Sequence, residues 1–166
     1  YGPMVHANLY PGRENSGKLV ALVRNQAKVL ARKMSLPLVL VDGAPGVGCP
    51  VISSVTGADH VVVVTEPTLS GLHDMNRALG LVKNFNIPCS IIINKYDINT
   101  EVTERLEAIG QQEAALVLGR IPYDERLIHA MVHGKPLLEE NVNSPASVSV
   151  IQIWECLQKA VQETQV

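Results

Sequence analysis

Aromatic side chains are scarce: one Phe, one Trp and four Tyr make up 4% of the 166 residues. A stacking platform for single-stranded nucleic acid is therefore not expected. Charge points the same way. There are 14 Lys and Arg against 16 Asp and Glu, a formal net charge of −2, and the basic residues are spread along the chain, so no nucleic-acid partner is expected. The three cysteines, Cys49, Cys89 and Cys156, are an odd number at wide spacing, and none belongs to a C-x-x-C pair. This argues against a disulfide framework and a complete metal site within the chain, and it fits a reducing, cytoplasmic location. No signal peptide is visible, and the longest apolar runs are strand-sized, so no transmembrane segment is expected. The opening Tyr1-Gly2-Pro3 lacks a Met, which suggests a processed product or an excised piece.

What is present is alternation. Apolar residues make up 46% of the chain, enough for a real core. Short apolar runs predict strands over 4–10, 36–41, 61–65, 89–93 and 115–118. Helical spacing predicts helices over 16–34, from Pro50 toward Val55, from a Ser70 cap to about Phe85, from a Thr100 cap onward, over 124–133 and over 146–161. On the first of these helices, Leu19, Leu22, Val23, Ala27, Leu30 and Met34 share one face, while Arg24, Lys28 and Arg32 read as a solvated face. Strand and helix alternating in this way predict an α/β fold, a mostly parallel sheet with helices on both faces. Ligands of such sheets bind at the carboxyl ends of the strands. Asp42, Glu66, Asn94 and Asp124 each follow an apolar run and are expected together near one edge.

Chemistry-bearing motifs stand at those ends. The run 36–41 leads into Asp42-Gly43-Ala44-Pro45-Gly46-Val47-Gly48-Cys49-Pro50. A carboxylate there can hold a Mg²⁺ shell, and glycines let backbone N–H groups approach phosphate oxygens. After the run 91–93 comes Asn94-Lys95-Tyr96-Asp97, an amide and a carboxylate spaced to clasp a purine edge. Its Asp suits guanine, and its Asn suits either purine. Gly12 to Lys18, GRENSGK, has the spacing of a phosphate loop, but Leu19 stands where a Mg²⁺-binding hydroxyl is needed. A loop with Asn15 or Ser16 capping the following helix is the competing reading. His129 and His133 lie one helical turn apart, yet without a third ligand no metal is expected there.

The order DGAPGVGCP (42–50), TEPTLSGLHD (65–74), INKYD (93–97) and GRIPYDERLIHAMVHGKPLLE (119–139) resembles the C-terminal part of the MinD/ParA/Mrp group of P-loop ATPases, kin of the nitrogenase iron protein. HANLYPGRENSGKLVALVR (6–24) further resembles the MinD-like ATPases that carry an inserted ferredoxin domain. In that group the K-G-G-x-G-K-[ST] loop, a first switch and the ferredoxin-like cysteines precede these motifs. The resemblance therefore implies that 1–166 is the C-terminal part of a MinD-like nucleotide-binding domain, a P-loop NTPase-like fold incomplete at its N-terminus, and that this piece alone is inactive.

The resemblance also implies roles and partners. Asp42 would be the switch carboxylate on Mg²⁺ water, and Gly46 the residue whose N–H senses the γ-phosphate of ATP. Asn94 would bond the adenine, and the backbone at Pro122 and Tyr123 would close over the ring; Asp97 leaves ATP against GTP open. Cys49 stands seven positions after Asp42, as a cluster-ligating cysteine does in the iron protein; the alternative is a small buried apolar residue beside Pro50. Expected partners are a nucleotide, a second copy in a homodimer and a redox or iron–sulfur protein, with any iron–sulfur cluster belonging to the parent rather than to this chain. Two other functions compete: a non-catalytic nucleotide-fold interaction module, and a stand-alone GTPase using Gly12 to Lys18.

Overall fold

The computed structural model of the chain describes residues 2–8 and 17–163. It divides into two compact units, Tyr1–Ala58 and Asp59–Val166.

In the first unit, residues 2–8 carry no regular structure, and Met4 is 77% exposed. The strand expected over 4–10 is thus absent from 4–8, while 9–10 lie outside the described residues. Helix α1 spans Gly17–Lys33 and α2 spans Cys49–Val55. On the basic face of α1, Lys28 and Arg32 are exposed as the spacing suggested, but Arg24 is not. Buried Arg24 donates from Nη1 to the carbonyls of Ser53 (2.7 Å) and Thr56 (2.6 Å), and Lys28 Nζ reaches the Gly57 carbonyl at 3.2 Å. These carbonyls end α2, where the helix has unpaired acceptors and a negative dipole end, so cations are favoured there. Leu22 and Met34, assigned to the apolar face, are 55% and 51% exposed instead. The strand expected over 36–41 does not form either. Those residues join no ladder, and Leu38, Leu40 and Val41 are 46%, 79% and 37% exposed.

The second unit contains a parallel sheet in the order β1-β2-β3, with β1 at Val61–Thr65, β2 at Cys89–Asn94 and β3 at Leu116–Ile121. Consecutive β-branched residues suit strands with little need for a polar face. Helix α3 (Leu69–Asn84) packs on β1, and α4 (Thr100–Gln112) packs on β2 and β3. Met75 and Leu79 of α3 meet Ile91 and Ile93 of β2 and Val102 and Leu106 of α4 in one core. Alternation sends Ile92 to the opposite face. There α7 (Pro145–Glu163) crosses β3 so closely that a Cβ on Gly119 would lie 2.6 Å from Ile153 Cγ1. The sheet therefore has helices on both faces. Helices α5 (Arg126–Val132) and α6 (Leu137–Glu140) complete the unit.

Three helix starts differ from expectation. Thr68, not Ser70, caps α3 by accepting the Gly71 N–H at 2.9 Å, and Asn99, not Thr100, caps α4 by accepting the Val102 N–H at 3.1 Å. Each winner is the residue whose side chain reaches the third amide of its helix. Asp124 precedes α5 rather than opening it.

Candidate functional site

Parallel strands put all their carboxyl ends on one edge, and the second unit gathers its polar residues there. Glu66 follows β1, Asn94 ends β2, and Pro122, Tyr123 and Asp124 follow β3. Lys95 turns the chain with φ 54°, a left-handed conformation uncommon for a side-chain-bearing residue. From there its Nζ pairs with Glu66 Oε1 at 2.7 Å, while Asn94 Nδ2 lies 3.5 Å from the same oxygen. The second contact is at the limit of a hydrogen bond, which leaves the Asn94 amide free to exchange partners.

A 3₁₀ turn at Tyr96–Ile98 carries Asp97 back across the edge. Asp97 Oδ1 accepts the Tyr123 N–H at 2.8 Å, binding the turn after β2 to the loop after β3. Beneath it, Thr103 Oγ1 donates to the Tyr96 carbonyl at 2.8 Å, which fixes the turn to α4. Arg120 holds Glu107 of α4 with two bonds of 2.6 Å and lies 5.7 Å from the centre of the Tyr96 ring. The Glu107 hydrogen bonds raise the guanidinium pKa further. A register shift makes this possible: Val117 pairs with Ile91 but Gly119 pairs with Ile92, so Leu118 is an extra residue. One extra residue turns every later side chain to the other face, and Arg120 thereby faces α4.

Asp124 is more than a helix start. Its side chain, 7% exposed, accepts the Arg126 N–H at 3.1 Å and the Ala146 N–H at 3.4 Å, so one carboxylate ties β3, α5 and α7 together. Burial acts to raise its pKa, but the Arg126 and Ala146 amides, the Ser144 hydroxyl and the Arg126 charge outweigh it and hold the carboxyl below its ordinary value. Tyr123, Asp124, Glu125, Arg126 and Pro145 line a shallow concavity of about 420 Å³ beside it.

The remaining sequence-predicted residues belong to the first unit. Asp42 is exposed and has no hydrogen bond or ion pair among the described residues. Gly46 has φ +91° and is exposed, and beyond its chain neighbours nothing among the described residues comes within 4 Å of where a Cβ would stand. Cys49, the first residue of α2, carries an exposed free thiol, and its reading as a buried apolar residue fails. Of the GRENSGK segment, Gly12 to Ser16 lie outside the described residues. Gly17 is instead explained by packing: a Cβ there would lie 2.5 Å from Ser53 Oγ. Spacing brought out Asn94 and Asp97; it missed the Lys95–Glu66 pair and the Asp124 hub, because their partners lie on other strands and helices.

No protein-family model matches the chain. An uncharacterized protein of Methanocaldococcus jannaschii is 30% identical over 159 residues, covering 96% of this chain and 52% of that protein. The septum site-determining protein MinD of Bacillus subtilis is 28% identical over 142 residues, 81% of this chain and 53% of its own length. The solved structure of MinD complexed with Mg-ADP from Pyrococcus horikoshii superposes with a TM-score of 0.71 at 21% identity, covering 90% of this chain and 59% of that one. The structural likeness carries the fold, and the chain spans about half the length of these two curated relatives.

Proposed function

This chain is a homologue of the MinD/ParA-type P-loop ATPases, and we propose that it forms the C-terminal, switch and base-binding part of one nucleotide-binding domain in a nucleotide-dependent ATPase. The observation that carries the base assignment is the bond from the Tyr123 N–H to Asp97 Oδ1. A guanine reader turns its carboxylate toward the ring N–H and amino group, whereas the bond from the Tyr123 N–H uses one lone pair of Asp97 Oδ1 and orients the carboxylate toward the loop after β3. This supports adenine, with Asn94 hydrogen-bonding its edge and the Pro122–Tyr123 backbone lying over the ring.

The phosphate end rests on the first unit. A carboxylate at Asp42 that is exposed and unpartnered among the described residues fits a water-mediated hold on Mg²⁺, and the exposed backbone of Gly46 fits an N–H donated to a terminal phosphate oxygen. Mg²⁺, when bound, supplies charge neutralisation on the phosphates. Asp42 would orient it, and Gly46 would report phosphate state to the segment leading into α2. That segment carries Cys49, whose exposed thiol supports its use at a homodimer or redox-partner interface. One thiolate per chain falls short of the four that hold a cluster, so the link to iron–sulfur or electron-transfer chemistry would run through a partner. No helix among the described residues is long and apolar enough to cross a membrane.

Equilibrium titration of the full-length protein with fluorescent ATP and GTP analogues tests the base assignment. ATP should bind at least about tenfold more tightly, and Asn94→Ala should weaken ATP by about tenfold, near 1.4 kcal/mol. Tighter binding of GTP, or an Asn94→Ala protein of undiminished affinity, would sink it.

A further inference from the structure

Helix α5 ends at a turn that the backbone builds on its own. The Lys135 N–H bonds the Ala130 carbonyl at 3.0 Å, Gly134 takes φ +64°, and Pro136 stands just before α6. This turn brings Glu140 of α6 back to the histidines of α5, and the ligand atoms of His129, His133 and Glu140 all lie within 4.8 Å of one another. The third ligand missing from the sequence pattern is thus supplied by the fold. We propose that His129, His133 and Glu140 bind a divalent transition-metal ion of the zinc class.

Three details support the assignment. His133 Nδ1 lies 2.8 Å from the His129 carbonyl, which can only accept, so Nδ1 carries the proton and Nε2 keeps a lone pair for a metal. Fixing a histidine tautomer through a backbone carbonyl is the usual outer support of a metal-bound imidazole. His129 Nδ1 stands 3.6 Å from Glu140 Oε1, close to the ~3.4 Å between ligand atoms around a tetrahedral ion with bonds of about 2.1 Å. Rotation about exposed side-chain bonds closes the remainder, since His129 is 68% exposed. Two imidazoles and a carboxylate suit zinc, cobalt, nickel or copper rather than Mg²⁺ or Ca²⁺, which take oxygen ligands. The site is therefore chemically separate from any nucleotide-bound Mg²⁺. Lys135 Nζ, 3.7 Å from Glu140 Oε2, opposes the ion and limits its affinity.

The test is calorimetric titration of the full-length protein with zinc chloride in excess Mg²⁺, in a Cys49→Ser/Cys156→Ser background that removes the exposed thiols. Zinc should bind, and Mg²⁺ should not displace it. His129→Ala and His133→Ala should each weaken binding by at least about tenfold, and Glu140→Gln by about tenfold. Lys135→Ala should tighten it. Circular dichroism should show all variants folded, and zinc should shift the His133 Nε2 resonance in ¹⁵N spectra of the parent. No zinc binding, unchanged affinity in the His129→Ala/His133→Ala double variant, or a His133 resonance indifferent to zinc would each overturn the site.

Discussion

Two apolar runs in this chain, one of valines alone and one of leucine and valine with Pro37, have different fates. Val61 to Val64 begins a paired strand, whereas Leu36 to Val41 pairs with nothing among the described residues and leaves Leu40 79% exposed. β-propensity expresses fit to a pleated surface, and a strand exists only where another strand completes its ladder. Val61 to Thr65 lies beside Cys89 to Ile93 and beneath α3. The largest expected effect follows from this contrast. Leu106→Ala, at a fully buried position between α4 and the sheet, should destabilise the second unit by about 2–5 kcal/mol in urea denaturation. Leu40→Ala should stay within about 0.5 kcal/mol. A cost for Leu40→Ala approaching that of Leu106→Ala would show the 36–41 run packed in the full-length protein, and the contrast would vanish.

The same distinction explains what the sequence made legible. β1 was readable to the residue, and β2 to within one, because Val-Val-Val-Val and Ile-Ile-Ile are strong local signals next to turn residues. The apolar run 115–118 marks only the first part of β3, which continues to Ile121 past the extra Leu118 and Gly119, where α7 approaches. Arg24 read as solvent-facing because the carbonyls it caps belong to another helix. At the site, Asn94 and Asp97 were legible from their spacing. The engagement of Asp97 by Tyr123 was not, as 26 residues separate them. His129 and His133 were visible as a pair one turn apart, while Glu140 reaches them only through the turn at Gly134.

The next effect in size compares the two units through function. If Asp42 orients Mg²⁺ water, Asp42→Asn keeps size and removes charge, so steady-state ATPase of the full-length protein should lose on the order of a hundredfold or more in kcat while nucleotide still binds. Asn94→Ala should act the other way, on affinity rather than on kcat, because the base is remote from the transferring phosphate. A normal kcat for Asp42→Asn would remove that residue from the mechanism and leave the first unit without an assigned catalytic part.

The smallest expected effect isolates the second unit's own electrostatics. Asp124 is deprotonated in the fold, accepts two backbone amides and has its carboxyl held below the ordinary range, so the fold gains stability from its ionised form. A carboxylate with a depressed folded pKa contributes fully above its unfolded value, about 3.9, and loses that contribution as pH falls through the folded value. Asp124→Asn can still accept from Arg126 through its oxygen, but its amide group then faces the Ala146 N–H, donor against donor. At about pH 6 the substitution should cost about 1–3 kcal/mol, the penalty of a buried donor left unpaired. That difference should shrink as the pH of the denaturation series drops below about 4, because acid protonates the parent's carboxyl and removes its advantage. Arg126 contributes little to this term: its Nη1 stands 3.9 Å from Asp124 Oδ2 and its side chain is 55% exposed, so Arg126→Ala should be nearly silent beside Asp124→Asn. A gap between parent and Asp124→Asn that stays constant down to about pH 2 would mean that the carboxylate's ionisation is not what ties β3 to α5 and α7, and that shape alone holds the loop.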